Sequence, residues 1–84
     1  MVKDRQLELL GCQIRRLRES NGLTQDQAAF SADLSRSYYG GVERGARNIS
    51  STNLIRIAKA LDVQVGDLFP DISDLWPLIN AIDT

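Results

Sequence analysis

Apolar residues return along most of this chain with the period of a helix. Leu7, Leu10, Ile14 and Leu17 are spaced three, four and three apart, one face of a helix that should end near Asn21-Gly22. Thr24 opens the run T-Q-D-Q, a capping box in which Thr24 can accept from the Gln27 amide while the Gln27 side chain returns to the Thr24 N–H. A second helix starts there, and its inward face is small: Ala28, Ala29 and Ala32. Asp33 stands where a helix commonly stops on a left-handed glycine, a conformation aspartate tolerates at some cost. Ser35 caps a third helix with Leu34, Tyr39 and Val42 inward, and Gly45 ends it. Ser50 caps a fourth, whose stripe is Leu54, Ile57, Ala58 and Leu61. Val63, Leu68 and Phe69 suggest a short fifth turn, and the segment after Pro70 carries Ile72, Leu75, Trp76, Ile79 and Ile82 on a helix-like period broken by Pro77.

The pattern predicts an all-α module: a compact five-helix core over residues 7–69 with a short helical extension over 70–84. At 84 residues the chain has room for one core, not two. Phe30 stands on helix two beside Ala28, where a partly buried filler is expected. The third helix poses a problem, because Gly40 and Gly41 lie side by side in its interior. Two such glycines cost roughly 2 kcal/mol against alanine.

Composition then removes whole classes of function. There is no histidine and Cys12 is the sole cysteine, so no disulfide, Cys/His zinc site or Cys-His nucleophile pair can form within one chain. No Gly-rich phosphate loop or positioned carboxylate pair is evident either, and neither an enzyme nor a cofactor, metal or small-molecule site is expected. The N-terminus lacks an apolar signal region and no apolar run reaches membrane-spanning length, so a reducing cytoplasm is the expected location.

The net charge of −1 hides a strong asymmetry. Residues 1–60 hold all ten basic side chains against six acidic ones, a balance of +4, whereas residues 61–84 hold five acidic side chains and no basic one. A cationic face backed by an acidic tail fits a polyanionic partner.

Helix two, a short break and helix three, with small residues at the crossing, form the pattern of a helix-turn-helix. The run G-L-T-Q-D-Q-A-A-F-S-A-D-L-S-R-S-Y-Y-G-G-V-E-R-G resembles the Cro/cI-type helix-turn-helix of phage repressors and small bacterial regulators. G-C-Q-I-R-R-L-R upstream and L-I-R-I-A-K-A-L-D-V downstream extend the likeness over about residues 7–69. L-S-R-S-Y, V-E-R-G-A-R-N-I-S and the C-terminal extension are similar to the controller proteins of restriction-modification systems. The resemblance implies a lambda-repressor-like fold and a homodimeric transcriptional regulator of double-stranded DNA, binding an inverted-repeat operator. A phage-type or general bacterial repressor, or an antitoxin-like interaction module on the same fold, are the alternatives.

With Tyr39 and Val42 inward, Arg36, Ser37, Gly40 and Gly41 share the outer face of helix three. The glycines would then present bare backbone to DNA, or else fray the helix end. Arg36 can donate two parallel bonds to guanine O6 and N7. Ser35, Ser37 and Tyr38 can reach bases or phosphates, with packing the other role open to Tyr38, while Arg47 and Asn48 follow in a loop suited to backbone or minor-groove contact. Gln25, at the start of helix two, resembles the family's phosphate-binding glutamine. The resemblance also pairs Glu43 with Arg18, and implies that Asp26 could face RNA polymerase. Stabilising the start of helix two through its dipole is the other role open to Asp26. Finally, Phe69, Leu75, Trp76, Ile79 and Ile82 are more apolar surface than a monomer of this size readily buries, and residues 69–82 are the expected dimer seam.

Overall fold

Asp4 accepts the amides of Gln6 and Leu7 at 2.9 and 3.3 Å, a cap that starts helix α1 (Arg5–Ser20) two residues ahead of its apolar stripe. The computed structural model describes residues 4–71, 73 and 74. Beyond α1 these comprise α2 (Gln25–Ser31), α3 (Arg36–Glu43), α4 (Ser51–Leu61) and a single 3-10 turn (Val65–Leu68). The fold is all-α, with four α-helices among the described residues up to Leu61; the fifth element is one tight turn because Asp67 caps back onto the Gln64 amide at 3.1 Å and Phe69 is already extended.

The breaks between helices follow from local chemistry. Gly22 at φ +72° ends α1, and both halves of the Thr24–Gln27 capping box are made, at 2.8 and 3.1 Å. Asp33 takes φ +58° after α2, and Asp62 takes φ +57° after α4, each in the left-handed position usually held by glycine. Ser35 and Ser50 accept the Tyr38 and Asn53 amides at 3.1 and 3.2 Å and so start α3 and α4.

The core is the set the periodicity predicts. Leu10, Ile14, Ala28, Ala29, Ala32, Tyr39, Val42, Leu54, Ile57, Ala58, Leu61 and Leu68 are buried, with Leu7, Leu17 and Leu34 packed against them. Gly11 is the part the periodicity omits: a Cβ there would stand 2.8 Å from the Glu43 carbonyl carbon, so a bare Cα lets α1 cross the end of α3. Phe30 corrects an expectation. It is 88% exposed, because burying Ala28, Ala29 and Ala32 turns position 30, about 200° round from Ala28, toward solvent.

Candidate nucleic-acid interface

Helix α3 is held in place from beneath by a buried ion pair. Arg18 Nε and Nη2 donate to Glu43 Oε2 and Oε1 at 2.6 and 3.1 Å, and Arg18 Nη1 donates to the Leu23 carbonyl at 2.8 Å. One guanidinium thus ties α1 to the last residue of α3 and to the loop before α2. The two side chains are only 10% and 2% exposed, so the fork-to-fork geometry has to offset a large desolvation cost. Burial alone would raise the Glu43 carboxyl; hydrogen bonds from Arg18, then Gln25, outweigh it and hold Glu43 below the usual carboxylate range. The buried Tyr39 phenol is pushed well above its ordinary value, first by burial and then by the Glu43 carboxylate. It lies near both charges without an aligned hydrogen bond to either.

Gln25 is recruited into the same network. Its Nε2 donates to Glu43 Oε1 at 2.8 Å, which fixes the amide at the start of α2 and leaves a second Nε2 N–H as the group able to donate to a phosphate. Thr24, Gln25, Asp26, Arg15, Arg18 and Arg36 line a cleft of about 480 Å³ between α1 and the first turns of α2 and α3.

The outer face of α3 carries Arg36 and Ser37, both exposed, with Ser35 serving as the cap. Tyr38 is half-buried: its hydroxyl accepts from Asn53 Nδ2 of α4 at 3.2 Å, and the Arg47 guanidinium stands 6.0 Å from its ring centroid. Both roles open to Tyr38 are therefore compatible with its position, since the ring packs while the O–H proton stays available. Asn48 lies exposed in the loop after Arg47.

The glycine pair is where the structure departs most from expectation. Helix α3 runs unbroken to Glu43, so its end is not frayed at Gly40 or Gly41, and both glycines are buried rather than bare. Arginines cover them. A Cβ on Gly40 would meet Arg36 Nη1 at 2.7 Å and Arg44 Nη1 at 3.1 Å, and one on Gly41 would meet Arg47 Cγ at 2.7 Å. The missing side chains make room for guanidinium groups laid along the helix. Arg44, absent from the sequence-derived site, belongs to this cluster; positions 36, 40 and 44 fall in line at i, i+4 and i+8, a spacing that could have revealed it.

Asp26 also behaves otherwise than the helix-dipole role alone requires. Its Oδ1 forms an ion pair with Arg36 Nε at 2.9 Å across the helix-turn-helix crossing, while its side chain stays 80% exposed. Phe69 is 45% exposed and lines, with Leu9, Leu17 and Pro70, a groove of about 550 Å³ between α1 and the 3-10 turn. Leu75, Trp76, Ile79 and Ile82 lie outside the described residues. Among the described residues no group of three potential metal ligands comes together, and no helix is long and apolar enough to cross a membrane.

An arginine-bearing helix packed over a capped partner helix by way of small residues defines a helix-turn-helix, and the chain belongs to the helix-turn-helix family, whose sequence model matches residues 14–68. Within it, the chain is similar to restriction-modification control proteins. Control protein C.BamHI of Bacillus amyloliquefaciens is 44% identical over 61 residues, which span 71% of this chain and 75% of that one. The crystal structure of the restriction-modification controller protein C.AhdI from Aeromonas hydrophila superposes with a TM-score of 0.77 at 45% identity, covering 79% of this chain and all of that one. C.Esp1396I bound to a 19 base pair DNA duplex superposes with a TM-score of 0.72 at 31% identity, over 77% of this chain and 87% of that one.

Proposed function

We propose that the protein is a sequence-specific transcriptional regulator of the restriction-modification controller type, binding an inverted-repeat DNA operator as a homodimer. The observation that carries this reading is the outer surface of α3, where Arg36, Arg44 and Arg47 converge around two glycines. In the major groove, Arg36 at the first turn reads a guanine edge through a bidentate contact, and Ser37 lies beside it. Arg47, Asn48 and Gln25 contact the sugar-phosphate backbone and set register. The ion pair between Arg18 and Glu43 fixes the angle at which α3 leaves the body of the domain.

Two-fold symmetry supplies the second half of the readout. A dimer built on the segment around Phe69 to Ile82 would set two copies of α3 about one DNA turn apart, roughly 34 Å. The five acidic side chains and absence of basic ones in residues 61–84 fit a surface that faces away from phosphates. Selection of bound duplexes from a random pool tests the reading: an inverted repeat with a conserved guanine in each half-site is the expected product, and an unenriched pool would refute it.

A further inference from the structure

Arg36 is flanked on two sides. Its Nε lies 2.9 Å from Asp26 Oδ1 in an ion pair, and its Nη1 lies over the Cα of Gly40, where a Cβ would stand at 2.7 Å. An arginine side chain on a helix surface ordinarily samples many rotamers, and each must be given up when it docks on a base. Here one end of the planar guanidinium is fixed by a carboxylate and its flank rests in a gap only glycine leaves. The carboxylate pairs with the guanidinium at its Nε edge rather than at its Nη end, the end that approaches a base.

We propose that Asp26 and Gly40 are positioning residues that preorganise Arg36 for base readout, so that sequence discrimination depends on two side-chain positions that need touch no base. The inference rests on the DNA-binding reading and deepens it. Asp26 neutralises Arg36 in the free protein, which lowers the general attraction of this helix for any phosphate backbone; its carboxylate therefore trades affinity for selectivity. An exposed ion pair contributes little to folding, with each side chain half or more exposed (51% for Arg36, 80% for Asp26), so the contact matters for geometry rather than stability. Gly40 acts in the same sense: alanine would favour the helix but displace the Arg36 and Arg44 termini, which are flexible enough to move.

The test compares affinity for a selected operator and for a scrambled duplex, by fluorescence anisotropy, in the full-length wild type, Asp26→Asn, Gly40→Ala, Arg36→Ala and the Asp26→Asn/Arg36→Ala double variant. Asp26→Asn should bind scrambled DNA about twofold to threefold more tightly and lose about fivefold in the operator-to-scrambled ratio. Gly40→Ala should melt a few degrees higher yet lose a similar part of that ratio. In the Arg36→Ala background, Asp26→Asn should leave the ratio unchanged. An undiminished ratio in Asp26→Asn, with the wild type still discriminating, would overturn the positioning role alone. The same result with a loss of transcriptional activation would assign Asp26 to a polymerase contact instead. A wild type with no operator preference would overturn the DNA-binding reading itself.

Discussion

Replacing Glu43 with alanine should cost the domain as much as removing a large core side chain. The substitution leaves the Arg18 guanidinium buried, with its side chain 10% exposed and only the Leu23 carbonyl as a remaining partner at 2.8 Å. Breaking a buried pair from one side costs about 3–5 kcal/mol. At about 0.05–0.15 kcal/mol per residue, a chain of 84 residues has roughly 4–13 kcal/mol in total. The loss is therefore a large share of all the stability available, equivalent to a fall in Tm on the order of 20 °C. Urea unfolding followed by circular dichroism at pH 7 and fixed protein concentration measures it. A loss below about 1 kcal/mol would show that water reaches Arg18 and that the pair does not fix α3. An Arg18→Met/Glu43→Leu variant should recover most of the loss, since apolar groups of similar volume need no partner. The pH dependence has a fixed sign. Because Glu43 is held below the usual carboxylate range, the stability it contributes is complete above that range and is lost as pH falls through the depressed value.

Other perturbations separate readout, packing and assembly. Arg36→Ala should weaken operator binding while sparing scrambled DNA, whereas Arg47→Ala should weaken both and flatten the salt dependence; equal losses on the two duplexes for Arg36→Ala would remove its base-reading role. Gly11→Ala should lower stability by about 1–2 kcal/mol in thermal melts, because overlap with the α3 backbone outweighs the roughly 1 kcal/mol gained in helix propensity. Truncation after Pro70 should give a folded, more monomeric protein in sedimentation, and an unchanged dimer would place the seam elsewhere.

The helices and their ends were legible because their causes are local. A capping box, two serine caps and i, i+3, i+4 stripes act within a few residues, and each is found where the pattern places it. Even the left-handed Asp33 could be anticipated from its position after an apolar stripe. What stayed hidden depends on approach between segments distant in sequence, or on where long side chains lie. Nothing near Gly11 signals that the carbonyls of Val42 and Glu43 will pass over it. Gly40 and Gly41 are buried like Tyr39 and Val42, but the cover over them comes from arginines at i−4, i+4 and beyond the helix end, whose rotamers no periodicity specifies. Phe30 shows the converse: its size suggested burial, and the narrow alanine face of α2 left no room for it.

The central claim, that this fold reads a DNA sequence through α3, is tested most directly by titrating the wild-type protein against its selected operator and a scrambled duplex over a series of salt concentrations. Affinity for both should fall steeply as salt rises, with the operator tighter by roughly 10³-fold or more at physiological salt. Salt-insensitive binding, or equal affinity for the two duplexes, would contradict it.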